Sequence, residues 1–204
     1  MGTLAQLKAR ILDSLTAGPV SVRQIGQHID DAIARYERER FYFNTGAASV
    51  ATVTGQGNVP APARLIFDDL VQVQQGLSVY PLVKLSRASL DERRADGPAS
   101  GHPECYAWNG TADFELWPTP SAVFSLAVTG VYGQPPLGSD AAANAWTGEA
   151  SDLIASCVRK TIFRDLLGDG SRALAAMQAE EEALFALRSL TVRRLSTGRM
   201  RADP

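Results

Sequence analysis

Histidine and cysteine are scarce in this 204-residue chain, which contains two of each. These residue types carry much of enzyme catalysis and metal binding, so their scarcity limits the active sites that the chain could build. Cys105 and Cys157 lie in different segments, which does not indicate a disulfide framework and favours a reducing compartment. The apolar runs are far shorter than the roughly twenty residues of a membrane span, and no signal-peptide pattern is visible. We expect a soluble protein that is not secreted through the general pathway.

The few metal-binding candidates do not form a familiar ligand set. His28 has polar neighbours on a predicted helix, where a surface position is expected. His102, Glu104 and Cys105 are three potential ligands in one loop, whereas structural zinc usually takes four ligands in paired spacing. The sequence therefore predicts no metal site.

The acidic residues are equally unspecific. Asp165, Asp169 and Gly170 resemble part of a calcium loop but lack the alternating acidic ligands and terminal glutamate of that motif. The three glutamates at 180–182 could supply an acid/base carboxylate, but successive helical residues point in different directions, so we expect a solvated face. No phosphate-binding glycine loop or nucleophile elbow occurs. We predict no catalytic residue and no cofactor, and a carboxylate pair facing across a cleft stays open as an alternative.

Charge is distributed unevenly along the chain. A hydrophobic content of 45 % with 21 % charged residues is typical of a globular protein, and the net charge is −2. Residues 188–204 contain five arginines and one aspartate, or +4, which leaves 15 basic and 21 acidic residues, or −6, elsewhere. This asymmetry suggests that the C-terminal segment meets an acidic surface or a nucleic acid.

Two amphipathic helices are predicted near the N-terminus. Thr3 with Gln6 and Ser21 with Gln24 are capping-box patterns that mark the helix starts. The apolar residues that follow at helical spacing are Leu4, Leu7, Ile11 and Leu15, and then Val22, Ile25, Ile29, Ile33 and Tyr36. Three consecutive aromatic residues at 41–43 are too many for a solvated helix end, and we expect them to pack under a β-rich lobe.

The middle of the chain, residues 47–135, is predicted to form β-structure and turns. Strands are expected at residues 65–74, 77–85, 106–108, 113–117 and 123–132. Asn109 and Gly110 predict a two-residue hairpin turn, because both central positions of such a turn need positive φ.

Two further helices are predicted near the C-terminus. The first begins at Ser151, Gly168 ends it, and Ser171 caps the second. The apolar residues expected to form the stripe of the second helix are Leu174, Met177, Leu184, Leu187 and Leu190. A tight turn between two helices predicts an antiparallel hairpin.

These patterns predict an α+β fold in a single domain of residues 1–204. The N- and C-terminal helix pairs, 1–44 and 151–195, form a helical bundle, because a helix with an apolar stripe must bury it. A β-rich middle lobe spans 47–135, and an extended C-terminal arm spans 196–204.

The arginine-bearing C-terminus has three interpretations. Arg193, Arg194, Arg199 and Arg201 carry its charge, and Met200 is its one large apolar side chain beyond Leu195. The segment could be a solvated end, an arm that orders when its arginines pair with partner carboxylates, or a DNA-binding segment. We rank DNA binding last, since interleaved aromatic residues are lacking and the rest of the chain is acidic. We predict an arm that binds a partner protein.

The order of several motifs resembles a known family. The motifs are TLAQLK at 3–8, IDDAIARYERERFYFN at 29–44, LWPTP at 116–120, NAWT at 144–147, SDLI at 151–154, and a final Glu/Ala/Leu-rich helix. Together they resemble the head-to-tail adaptor, or connector, proteins of tailed bacteriophages and prophages, a group that includes the tail accessory factors of short-tailed phages. The resemblance covers nearly the whole chain.

The resemblance implies a structural virion protein assembled in the host cytoplasm. It implies a homo-oligomeric ring, commonly a dodecamer, that docks on the portal and receives the next tail component, a stopper, nozzle or tail tube. Genomic DNA would pass through the lumen without sequence-specific binding, and no membrane is involved. The C-terminal arm would contact the portal through Arg193, Arg194, Arg199, Met200 and Arg201. The alternatives are a virion-associated peptidoglycan hydrolase with a carboxylate pair, and a nucleic-acid-binding module.

Overall fold

The computed structural model describes residues 2–15, 20–110 and 112–196, and it contains both helices and sheets. The helices are α1 (Leu4–Ser14), α2 (Val22–Tyr36), α3 (Arg87–Ala95), α4 (Ser151–Thr161) and α5 (Gly170–Ser196), with a π-helical segment, Ile162–Leu166, directly after α4. The strands are β1 (Thr45–Ala51), β2 (Asn58–Pro60), β3 (Leu65–Gln75), β4 (Ser78–Pro81), β5 (Val83–Leu85), β6 (Ser100–Gly101), β7 (Cys105–Ala107), β8 (Asp113–Trp117), β9 (Thr119–Pro120) and β10 (Ser125–Tyr132). The predicted α+β class is confirmed.

The chain divides into two compact units. The described residues of 1–44 and 134–204 form one unit, which contains α1, α2, α4 and α5, and residues 45–133 form the other. We call them the helical unit and the β unit.

The first two helices begin where the sequence predicts. The Thr3 side chain accepts a hydrogen bond from Gln6 N, and the Ser21 side chain accepts one from Gln24 N. In turn, each glutamine side-chain oxygen accepts a hydrogen bond from the backbone N–H of its capping residue. Both capping boxes are therefore formed, and each satisfies two backbone donors that a helix start leaves open. The apolar face of α2 is narrower than predicted, because Val22 is half exposed.

One hydrophobic core holds the helical unit together. Ile25 and Ile29 of α2 are fully buried in the same cluster as Leu153 and Ile154 of α4. The cluster also takes Leu4, Leu7 and Ile11 from α1 and Ala173, Ala176 and Leu187 from α5. Full burial of one large aliphatic side chain contributes about 1.5–3 kcal/mol, so a core of this size dominates the stability of the unit.

The aromatic segment after α2 packs within the helical unit. Phe41 is fully buried, its ring stacks on Phe43 at 5.3 Å, and both rings meet the edge of Trp146 at 5.9 and 5.1 Å. The expectation that these aromatics pack under the β-rich lobe stays a prediction. Asn44 closes the turn by accepting from Phe41 N at 2.8 Å through its Oδ1.

The β unit contains two four-stranded sheets and a two-stranded one. The first has the order β1-β10-β3-β4 and is antiparallel throughout, and the second has the order β2-β8-β7-β5, in which β5 and β7 are parallel. The short strands β6 and β9 form the third. Inward-facing side chains of the two larger sheets, among them Val71, Leu126, Phe114 and Leu116, share one core.

The predicted strand at 77–85 is two strands in different sheets. Leu82 N still donates to Val71 O of β3 at 2.8 Å, whereas Val83 N donates to Glu104 O, directly before β7, at 2.9 Å. β4 ends at Pro81, and β5 begins at Val83. The chain therefore changes sheets at residues 82–83, which alternation of polarity alone does not reveal.

The hairpin around Gly110 forms with a longer loop than predicted. Strands β7 and β8 pair antiparallel from Cys105 opposite Trp117 to Ala107 opposite Glu115. Gly110 has φ +87°, while Asn109 does not have positive φ, so the two-residue turn is wrong and the pairing is right.

Candidate interaction site at the C-terminal helix

The longest helix, α5, begins two residues after a glycine of positive φ. Gly168 has φ +62°, and Asp169 Oδ1 accepts from Arg172 N at 3.0 Å. The Asp169 carbonyl also accepts from Ala173 N at 2.9 Å. Asp169 is therefore the N-cap, and the prediction of Ser171 is wrong because Ser171 already lies inside the helix. Aspartate satisfies the first backbone donors as well as serine does and also suits the positive end of the helix dipole.

The buried side of α5 is not the predicted leucine stripe. The buried residues are Ala173, Ala176, Glu180, Leu187 and Thr191. Of the five residues predicted for the stripe, Leu187 is buried, Leu184 and Leu190 are half-buried, and Leu174 and Met177 are exposed. Small side chains at positions 173 and 176 let α5 lie close to the rest of the unit, so the larger leucine and methionine beside them face outward.

Glu180 is buried because the core supplies it with partners. Its carboxylate accepts hydrogen bonds from Lys160 Nζ of α4 and from Tyr36 OH of α2. Burial by itself raises the pKa of the Glu180 carboxyl, but the hydrogen bonds from Lys160 and Tyr36 outweigh it and hold that pKa below its ordinary value. Burial and the same carboxylate raise the pKa of Tyr36, and they raise the pKa of the nearby Cys157 thiol to about 11. This network connects α2, α4 and α5. Of the three glutamates at 180–182 that were expected to be solvated, only Glu181 and Glu182 are exposed.

Removing the Glu180 carboxylate should destabilise the helical unit strongly. Glu180→Ala leaves the Lys160 ammonium buried without its anion, a change that costs about 3–5 kcal/mol when one partner of a buried pair is lost. Urea unfolding should show this loss, whereas the matched variant Glu181→Ala, on the exposed side, should stay within about 0.5 kcal/mol of the parent.

A pH titration gives a second measure of Glu180. Since its pKa is lowered in the folded state from 4.5, its contribution is present above about pH 4.5 and is lost as the pH falls through the folded-state pKa. Glu180→Gln should flatten the fall in unfolding free energy below pH 4.5. If the unfolding free energy of parent and variant fell equally with decreasing pH, ionisation of Glu180 would not stabilise the helical unit.

The segment after α2 holds the C-terminal turns of α5. Tyr42 N donates to Thr191 Oγ1 at 3.2 Å, and the guanidinium carbon of Arg194 lies 3.9 Å from the centroid of the Tyr42 ring. Tyr42 OH donates to a Glu149 carboxylate oxygen, and burial together with this bond raises the pKa of Tyr42 to about 12. A guanidinium within about 6 Å of an aromatic face is a favourable cation–π geometry. Tyr42 therefore anchors the point at which α5 ends.

An ion pair supports the same region one turn earlier. Arg188 donates to Glu39 Oε2 from Nε at 3.1 Å and from Nη2 at 2.8 Å. The pair joins residues 149 positions apart in the sequence. Exposed pairs contribute at most about 1 kcal/mol, so the contact orients the helix end more than it stabilises the unit.

Two of the five predicted portal contacts lie in α5 itself, since the helix runs to Ser196. Arg193 and Arg194 lie in the last turns of α5 rather than in a tail after it, and Arg194 stacks on Tyr42. Arg199, Met200 and Arg201 lie outside the described residues. The residues that sequence reasoning missed are Tyr42 and Glu39, because their partners on α5 are distant in the sequence. The only signal was the unusual density of aromatic and charged residues at 37–43.

The remaining sequence candidates are dispersed. His28 Nδ1 lies 4.0 Å from Asp31, and the ring of His102 lies between Tyr80 and Phe124 at 5.3 and 5.1 Å. Cys105 is buried and its thiol donates to Trp117 O, so it does not converge with His102 and Glu104. Among the described residues, no group of three or more histidine, cysteine, aspartate or glutamate side chains could hold a metal ion.

A family model described as SU10 adaptor protein matches residues 2–203. The chain belongs to this family. The match confirms the resemblance to phage head-to-tail adaptors that the motif order predicts. A search of the curated proteins found no significant match to the chain.

Membership of the SU10 adaptor family gives the general role of the protein. It is a phage structural adaptor, a component of the virion, and it interacts with other head and tail proteins. The family is a structural one. In the parts of the chain that the structure describes, no helix is both long and apolar enough to cross a membrane.

Proposed function

We propose that this protein is a head–tail adaptor that forms a homo-oligomeric ring on the portal and connects it to the next tail component. The match to the SU10 adaptor family over residues 2–203 carries this proposal. The ring is twelvefold, the helical unit is a bundle that builds its wall, and genomic DNA passes through the lumen. A stopper, nozzle or tail tube binds the opposite end.

The C-terminal end of α5 supports portal docking by this segment. Tyr42 and Glu39 hold the last turns of the helix through Thr191, Arg194 and Arg188, so the chain leaves the helical unit from a defined point. Five arginines and one aspartate in residues 188–204 give this end a charge of +4, opposite in sign to the rest of the chain. Arginine pairs with carboxylates through two parallel hydrogen bonds, which suits an acidic portal surface. The arm of residues 196–204, with Arg199, Met200 and Arg201, is the proposed contact.

Ring formation should depend on the portal as a template. A ring needs heterologous contacts, in which one face of a subunit meets a different face of its neighbour. Contacts that are weak individually add up when a symmetric template holds the subunits side by side. Light scattering on dilute protein should give the mass of a monomer, and addition of portal should give a ring-sized species.

The same experiment can overturn the proposal. A tight closed dimer of unchanged mass with and without portal would exclude the ring. Lysozyme added in place of portal is the control for nonspecific association, and it should leave the monomer mass unchanged.

A further inference from the structure

The outer side of α5 carries a row of exposed apolar side chains. Its members, with their exposed fractions, are Leu174 (53 %), Met177 (39 %), Phe185 (74 %), Val192 (66 %) and Leu195 (48 %). At 1.5 Å per residue the row extends over roughly 30 Å. We call it the α5 ridge. Glu181 and Arg188 lie on the same side of the helix and interrupt the row, so its apolar members form patches rather than one continuous surface. Apolar patches bordered by polar side chains mark interaction sites.

The exposed area of the ridge is that of a weak contact, which a ring would repeat once per subunit. With roughly 150–250 Å² for a large side chain, the exposed fractions amount to on the order of 500 Å² of surface. A stable two-protein interface takes about 800 Å² from each partner. The ridge alone therefore falls short of a stable dimer and provides most of one contact in a closed assembly.

The opposite side of the same helix carries a groove. It has a volume of about 200 Å³ and is lined by Leu153, Ala183, Ala186, Leu187 and Leu190, with Glu149 and Asp152 at its edge. With 3.6 residues per turn, these α5 positions lie roughly 100–160° around the helix from Phe185. We call it the α4–α5 groove. Alanine at positions 183 and 186 keeps it open, since a larger side chain at either position would fill it.

The ridge and the groove are complementary in shape and charge. Phe185 is the most exposed member of the ridge, and the groove is apolar with space for one aromatic ring. Arg188 lies one turn after Phe185 with its side chain 56 % exposed and paired with Glu39, and the groove lining includes Asp152, whose side chain is 70 % exposed and paired with Arg10. In the contact Arg188 would exchange its exposed pairing with Glu39 for one with Asp152 of the next copy. Such exposed pairs contribute at most about 1 kcal/mol each, so charge orients the contact and the apolar surfaces stabilise it.

We propose that the α5 ridge of one copy of this chain packs into the α4–α5 groove of the next copy, with Phe185 as the inserted side chain. The contact is heterologous because its two halves lie on different sides of α5, which is the type of contact that closes into a ring. It deepens the proposed ring assembly by naming the subunit interface. It also explains why the leucine and methionine predicted for the core lie on the surface.

Paired cysteine variants test the contact directly. Phe185→Cys and Ala186→Cys are prepared in the full chain, concentrated alone or mixed, and treated with a short bifunctional thiol reagent. The native Cys105 and Cys157 are buried, so the parent chain should stay uncrosslinked. The mixture should give a crosslinked dimer at several times the yield of either variant alone, because position 185 meets position 186 of the next copy.

The other outcomes each exclude the proposal. Crosslinking of Phe185→Cys to itself, at the yield of the mixture or above it, would show that two ridges pair symmetrically. In particles assembled with portal, a crosslink from position 185 to the portal or a tail protein would show that this protein, and not a second copy of the chain, covers the ridge. No crosslink in either preparation, together with parent-like association of Phe185→Asp, would show that the ridge is uncovered. Because concentrated free protein is used in the first arm, a result there does not depend on whether portal docking is correct.

A charge on the ridge provides an independent measurement. The parent should self-associate with rising concentration in a sedimentation experiment. Phe185→Asp should fold like the parent, because the side chain is exposed, and should lose this association. Leu77→Asp is the matched control, since Leu77 is fully exposed in the turn between β3 and β4 of the β unit. It should associate like the parent. Parent-like association of Phe185→Asp would overturn the proposal.

Discussion

A chain that ends at residue 195 should fold normally and lose its binding to the portal. The last buried residue of α5 is Thr191, and the anchor on Tyr42 uses Arg194, so truncation after Leu195 leaves both in place. The removed segment contains Arg199, Met200 and Arg201. Circular dichroism and thermal unfolding should match the parent, and portal pull-down should fall to background.

The expected loss is large because the contact is repeated around the ring. One charge-assisted hydrogen bond contributes about 1.5–3 kcal/mol at most, which a single subunit could not use to attach permanently. Multiplication of such contacts by the number of subunits makes release effectively negligible. Undiminished attachment of the truncated protein would place the docking surface elsewhere, on the helices.

Charge reversal tests whether portal binding needs the arginine charges or only the length of the arm. Arg199→Glu with Arg201→Glu should weaken portal binding, and the difference from the parent should shrink as salt is added, because exposed charges are screened. The matched control is Arg23→Glu with Arg38→Glu, which changes the net charge equally at exposed positions of the helical unit. Equal weakening by both pairs would indicate a general charge effect rather than a docking contact.

Replacement of Ile29 by aspartate should unfold the helical unit. Ile29 is fully buried in the cluster that includes Leu153 and Ile154 of α4. A buried carboxylate without a partner, added to the loss of the aliphatic side chain, should cost more than about 4–5 kcal/mol, in a domain whose whole stability is about 5–15 kcal/mol. The helical signal and the cooperative thermal transition should both be lost.

Val22→Asp is the control for Ile29→Asp. It introduces the same charge on the same helix, but Val22 is half exposed and lies in the first turn, where an acidic side chain suits the helix dipole. Its melting temperature should stay near that of the parent. If Ile29→Asp also kept the parent melting temperature, the N- and C-terminal helices would not depend on a shared core.

The sequence alone determined the features that depend on neighbouring residues. The two capping boxes need residues three positions apart, and both formed as predicted. The strand predicted at 113–117 ends directly before Pro118, which lacks an N–H donor. The order of motifs along the chain was enough to identify the adaptor family, since a family pattern is itself a property of the sequence.

Tertiary structure decided which side of α5 is buried. Periodicity placed Leu174 and Met177 inward, because hydrophobic residues usually face a core. In the folded chain the close approach of α5 to the unit favours alanines at that face, and Glu180 enters because Lys160 and Tyr36 compensate its burial. The partners of Glu180 lie 20 and 144 positions away, so local pattern could not indicate them.

Contacts between distant segments also explain the arrangement of the candidate site at the end of α5. Sequence reasoning placed Arg193 and Arg194 among the portal contacts, because arginines follow one another there with little apolar periodicity. In the structure they lie in the last turns of α5, which a hydrogen bond between Tyr42 and Thr191, 149 positions apart, holds to the helical unit. The sequence by itself determined the charge of this end and the family to which it belongs. Only the fold decided that Arg194 is bound to the Tyr42 ring and that the projecting side chain of α5 is Phe185, because contacts between distant segments set which faces are left exposed.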